Sequence, residues 1–201
     1  LAGRPAARRG PVARCPVGRR VFSAAVGYED AMGGEGVCLM TCPPGVAARP
    51  ENTGWFSLFG GLTKSQAFAQ TPYPEDGQRF MGGTYDPTGL YRLNAVMDWM
   101  LREAFTVAQI HAHAQALQMQ FLDLMTRQGL LKGAELIPPQ GIPRGNFLIF
   151  RHAAAQDWRK KLLCVDVVTD CRDDRLRIGF GLYHQSDDVV ALAERIKTAG
   201  I

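Results

Sequence analysis

Apolar residues recur at helical spacing in two long stretches of the chain. From Thr88, positions Leu90, Leu93, Val96, Met97 and Met100 fall on one face, and Asp86-Pro87-Thr88 ahead of them predicts a helix start. A second stripe, Val107, Ile110, Ala114, Leu117, Phe121, Leu124 and Met125, predicts a helix over about 105–127, with Gly129 placed to cap it. Beyond Gly129 the pattern shortens. Residues 146–150 read as a strand and 154–163 as a helix. Residues 165–169 and 175–180 flank the polar stretch Asp170–Asp174 as a hairpin, in which Leu176, Ile178 and Phe180 alternate with Arg175, Arg177 and Gly179. Ser186-Asp187-Asp188 then predicts the cap of a last helix carrying Val189, Val190, Leu192, Ala193 and Ile196.

Upstream the pattern differs. The apolar run 36–42 suits a buried strand, which Pro43-Pro44-Gly45 ends. Residues 46–86 hold turn formers and aromatics (Trp55, Phe56, Phe59, Phe68, Tyr73, Phe80, Tyr85) without a period and read as a long ordered connection. Gly33-Gly34-Glu35-Gly36 lacks the Lys-Ser/Thr ending of a nucleotide loop and predicts a turn. Strands alternating with helices give an α/β class, a mixed sheet covered by helices. Three segments follow: a basic tail over 1–25 that is disordered or spurious, a connecting region over 26–85, and a small α/β domain over 86–201. Order is expected to begin near Val26.

Composition narrows the function. The net charge of +4 comes from the tail, which holds Arg4, Arg8, Arg9, Arg14, Arg19 and Arg20 and no acid. Without aromatics among those arginines, a nucleic-acid partner is not expected. No apolar run of about 18 residues predicts a membrane helix. Five cysteines without a CxxC pattern argue against a disulfide framework or structural zinc, and predict reduced thiols in the cytoplasm. His111 and His113, two apart on a helix, do not share a face and predict no metal site. The chain begins with Leu rather than Met, which suggests a fragment.

Several segments, in order, resemble one family. Gly27-Tyr28-Glu29 with the following Gly-rich turn is similar to the Gly-Tyr-Lys element of class V aminotransferases, which depend on pyridoxal phosphate (PLP). Gly54-Trp55-Phe56 is similar to an element of kynureninases. Arg79-Phe80 with Gly82-Gly83-Thr84, and Arg175–Phe180 with Leu182-Tyr183-His184 and Asp187-Asp188-Val189, resemble the motif after the long loop and the closing strand and helix. The resemblance implies the C-terminal small domain of a PLP-dependent transferase fold with a remnant of the large domain, from the kynureninase-like branch. It implies Tyr28, Trp55 and Thr84 as cofactor contacts and Arg177 as the ligand of the substrate's α-carboxylate, with Arg175 as a rival on the same strand face. It also implies a homodimer and an amino-acid substrate. Where the family carries the lysine that forms an imine with PLP, this chain has Glu29, which forms none. Two readings follow. The chain is part of a class V enzyme, inactive alone and without a catalytic residue of its own, or it is a non-catalytic dimerising domain or gene remnant.

Overall fold

The computed structural model describes residues 22–27, 31–61 and 72–201. By internal contacts the chain divides into two compact units, 1–98 and 99–201.

The first unit opens with a two-stranded antiparallel ribbon, β1 (Ser23–Val26) and β2 (Cys38–Thr41), in the register Ser23↔Thr41 to Val26↔Cys38. β1 starts three residues ahead of Val26. The apolar residues after the arginines find a backbone partner in β2, which a reading based on period alone does not register. β2 forms inside the expected run, but it is not buried: Leu39 and Met40 are exposed and the core residue is Val37. Residues 1–21, most of the expected basic tail, lie outside the described residues. Among its described residues the 46–86 connection contains two 3-10 segments, Trp55–Gly61 and Gly77–Phe80.

Helix α1 (Thr88–Arg102) starts where Asp86 accepts hydrogen bonds from the Thr88 amide (2.9 Å) and hydroxyl (2.5 Å). These bonds, the hydroxyl's first, hold the Asp86 carboxyl below its usual range. The sequence places a domain boundary at 85/86, whereas the contacts place the division inside α1. The reason is local. The first turns of α1 belong with the 33–37 turn: Gly89 lies against Gly36, Leu93 against Gly33, and Arg92 donates to the carbonyls of Gly33 (3.2 Å) and Glu35.

In the second unit α2 (Val107–Gln128) is fixed at both ends. Thr106 and Gln109 form a reciprocal capping box, and Gly129 takes the left-handed conformation (φ 66°, ψ 33°) that favours glycine. There follow β3 (Glu135–Ile137), β4 (Phe147–Arg151), α3 (Ala155–Leu163), β5 (Asp170–Arg172), β6 (Arg175–Gly179) and α4 (Ser186–Thr198). The sheet order is β3-β4-β6-β5, and every pair is antiparallel where the sequence suggests a mixed sheet. The hairpin exists, but its first strand is Asp170–Arg172, not 165–169, because β5 and β6 close around the two-residue turn Asp173-Asp174. The α4 start also shifts by one residue. The Gln185 amide donates to Asp188 (2.7 Å), while Ser186 pairs with Gln120.

One face of this sheet carries the core. Leu148, Phe150, Leu176 and Ile178 point into it and meet Leu117 and Phe121 of α2, Trp158 and Leu162 of α3, and Val189, Ala193 and Ile196 of α4. The Phe121 ring is fully buried, 6.1 Å from that of Phe150 and 5.9 Å from that of Phe180. Val107, expected on the same stripe, is exposed at the first turn of α2. The opposite sheet face, with Phe147, Ile149, Arg151, Arg175 and Arg177, remains exposed or half-exposed.

Candidate functional site

Close glycine contacts shape the first unit. A Cβ at Gly27 would stand 2.7 Å from the Val37 side chain, and one at Gly33 would stand 2.9 Å from the Gly27 carbonyl, to which the Gly33 amide already donates (2.7 Å). Residues 28–30 lie between these two glycines. Tyr28 and Glu29 fall outside the described residues.

Trp55 and Thr84, far apart in sequence, are brought into one neighbourhood. Gly54 is pressed on Gly82: a Cβ there would stand 1.8 Å from the Gly82 oxygen. The Trp55 indole nitrogen reaches 4.0 Å from the position of a Cβ on Gly83. Trp55 is exposed, edge-on to Phe56 and tilted against Phe59, and Thr84 next to Gly83 is also exposed.

Behind this patch lies Arg79, only 2% exposed. Its guanidinium donates to five backbone carbonyls: Ala47 (3.1 Å), Glu75 (2.8 Å), Asp76 (2.6 Å), Pro43 (3.3 Å) and Val46 (2.9 Å). Five donors meet five acceptors, so the buried cation is fully satisfied. Thr53 donates to the Arg79 carbonyl (2.8 Å), which ties in the segment before Trp55. Arg79 thus holds the 43–47, 53–57 and 75–81 segments together. Sequence reasoning treats it as part of a motif and misses this role. The signal available is an arginine in an aromatic, turn-rich region that holds one other, Arg49.

In the second unit Arg177 lies on the open face of β6. Its Nη1 donates to Asp170 Oδ2 (2.9 Å) on β5, its direct cross-strand partner, and its Cζ stands 4.4 Å over the centre of the Phe147 ring on β4. Arg172 Nε donates to the same Asp170 oxygen (3.1 Å). Burial alone would raise the Asp170 carboxyl. The hydrogen bonds and charges of Arg172 and Arg177 outweigh it, and the carboxyl is held below its usual range. Its contribution is therefore complete above the ordinary Asp value and is lost as pH falls through the lower folded one. Arg175 shares the face but meets only Asp174, at 3.8 Å. Burial, then the Asp170 charge, pushes the neighbouring Cys171 thiol up.

Three of the histidines make polar contacts within the second unit. His113 donates to the His184 carbonyl (2.9 Å), His184 accepts from the Gly181 amide (2.9 Å), and His111 lies 3.3 Å from the Asn146 side chain. Among the described residues no three His, Cys, Asp or Glu side chains are grouped to hold a metal, and no helix is long and apolar enough to cross a membrane. A cavity of about 370 Å³ beside α4, lined in part by Thr169, Phe180, His184 and Leu192, contains none of the sequence-predicted site residues.

Comparison with known proteins bears on these features. The sequence profile of the kynureninase C-terminal domain family matches residues 110–196. No curated protein matches the chain by sequence. Among solved structures, a cysteine desulfurase from Thermococcus onnurineus superposes with a TM-score of 0.70 at 14% identity, over 89% of this chain and 47% of that one. A cysteine desulfurase from Escherichia coli gives a TM-score of 0.58 at 16% identity, over 74% of this chain and 38% of that one. The chain thus spans less than half the length of either protein.

PLP, which the resemblance implies, is a demanding guest. At a phosphate end the Trp55 N–H, the Gly83 amide and the Thr84 hydroxyl are chemically suitable donors on one exposed patch. At the aldehyde end the described residues offer nothing. The described lysines, Lys132, Lys160, Lys161 and Lys197, are all exposed and all belong to the second unit. Glu29 occupies the position where a lysine is expected. Among the described residues, none is placed to hold PLP covalently. The chain thus shares the fold of part of these cysteine desulfurases, and its residues 110–196 match the kynureninase C-terminal domain family.

Proposed function

We propose that the chain is the carboxylate-recognising C-terminal part of a PLP-dependent class V enzyme of kynureninase type, acting on an amino acid, and that by itself it is inactive. The observation that carries this reading is Arg177. It is a guanidinium held on the open sheet face by Asp170 and Phe147, inside the segment that matches the kynureninase C-terminal domain. A planar fork fixed in this way suits a paired hydrogen bond with an α-carboxylate. In a kynureninase-type reaction the cleaved bond lies on the β-carbon side of the substrate, and Arg177 would orient the amino acid by its other end. This chain's contribution is binding and orientation. With Glu29 at the lysine position, no proton or imine step is assigned to it. Reduced thiols suggest the cytoplasm.

Carboxylate titration followed by NMR tests the assignment. Acetate should shift the Arg177 Nε–Hε resonance and leave that of Arg175 in place, and should still do so in Arg175→Gln. A response at Arg175 with none at Arg177 would give the role to Arg175.

A second reading, a dimerising domain without catalysis, is favoured by the exposed rings of Trp55 (47%), Phe59 (52%) and Tyr85 (53%) in one region. Apolar surface of this kind promotes association. Sedimentation should show self-association that Trp55→Ser with Phe59→Ser weakens. A strictly monomeric chain at high concentration would count against it.

A further inference from the structure

We propose that Asp170, together with the Phe147 ring, is a positioning residue that fixes the Arg177 guanidinium so that its unbonded edge is presented to an anion. The inference rests on Arg177 as the carboxylate ligand and adds what orients it.

The register supplies the geometry. Asp170 is paired with Arg177 across β5–β6, so the two side chains leave the sheet on the same face from adjacent strands. Phe147 reaches the guanidinium from β4 on the other side. One neighbour holds the Nη1 end at 2.9 Å, and the other covers a flat face at 4.4 Å. Nε and Nη2 carry no hydrogen bond among the described residues. This pair is one of the guanidinium edges that match the two oxygens of a carboxylate.

Asp170 is itself fixed. Arg172 Nε holds the same oxygen at 3.1 Å, so one carboxylate bridges two cations and the triad keeps one net positive charge for an incoming anion. Arg175 provides the contrast. It lies on the same face, but its one ionic partner is 3.8 Å away and no ring covers it. Ordering the fork on folding removes that cost from binding, which is the general advantage of a preorganised site.

Simple electrostatics and positioning predict opposite signs. Removing the negative Asp170 makes the face more positive and on charge alone should tighten anion binding. If Asp170 positions Arg177, binding should weaken. The test is side-chain NMR on the whole chain. The Arg177 Nε–Hε resonance is identified by its loss in Arg177→Lys, and proper folding of each variant is verified by its amide spectrum. In ligand-free Asp170→Ala, the order of that resonance should fall to that of an exposed helix arginine such as Arg159. Asp170→Asn, which keeps an acceptor oxygen in place, should retain more of it. Phe147→Leu, which leaves Asp170 intact, should lose part. Acetate affinity should fall about tenfold in Asp170→Ala, the effect of misplacing one charge-assisted hydrogen bond.

Unchanged Arg177 order in both Asp170→Ala and Phe147→Leu overturns the proposal, as does tighter acetate binding in Asp170→Ala. Loss of order in these variants, with no acetate response at Arg177 in the unsubstituted chain, supports the positioning while overturning the carboxylate reading.

Discussion

Replacing Phe121 with alanine is expected to destabilise the second unit by about 3–5 kcal/mol, the usual cost of removing a fully buried aromatic ring. The ring is 0% exposed and lies between those of Phe150 and Phe180, joining α2 to the sheet. Its loss removes apolar transfer energy and edge-on ring contacts, and leaves a cavity that a helix fixed by caps at both ends closes poorly. A loss of this size is a large fraction of the stability of an ordinary domain. Denaturant unfolding followed by the near-ultraviolet signal should show the midpoint move sharply. A change within error would mean that α2 does not pack on the sheet as described. The control is Val107→Ala, at a position that is 64% exposed, where little change is expected.

The second large effect belongs to Arg79. Arg79→Met keeps much of the apolar stem but deprives five carbonyls of their donor at once. A buried hydrogen-bonding group left without a partner costs about 1–3 kcal/mol, and water entering a loosened loop recovers part of that. The expected net loss is about 3–5 kcal/mol, comparable to breaking a buried ionic network. It should fall on the first unit. Hydrogen exchange should accelerate over 43–57 and 75–84 while the sheet of the second unit keeps its protection. Arg79→Lys should rescue only in part, because three donors on one nitrogen cannot span the carbonyls that the planar fork reaches. Uniform acceleration across both units, or none at all, would contradict the role given to Arg79.

These two residues also show what the sequence makes legible. Phe121 lies on a stripe of helical period, and periodicity reports which side faces a core. It does not report where a stripe meets solvent, which is why Val107 at the first turn of α2 is exposed. Strand β6 is visible because Leu176 and Ile178 alternate with arginines. Its partner β5 is misplaced by the same logic. The apolar residues of 165–169 look more like a strand than Asp-Cys-Arg, but a two-residue turn selects the residues adjacent to it, and Cys171 alone turns toward the core. Strands β1 and β3 are short, with four and three residues, and owe their existence to backbone pairing that no periodicity announces.

The candidate site divides in the same way. Arg177 was accessible through its resemblance to a family motif. Asp170, Phe147 and the carbonyl cage around Arg79 depend on cross-strand register and loop closure, which single-residue chemistry does not encode. Trp55 and Thr84 were named from separate motifs, and the contact of Gly54 with Gly82 is what places them together.

The central proposal is that this chain, with Glu29 where the resembled family carries its lysine, has no covalent anchor for PLP. The most direct measurement mixes the purified chain with PLP, records the visible absorbance, reduces with borohydride and maps the peptides by mass spectrometry. The account predicts no stoichiometric imine and only scattered, substoichiometric labelling of exposed lysines. A stoichiometric adduct on a single lysine would contradict it.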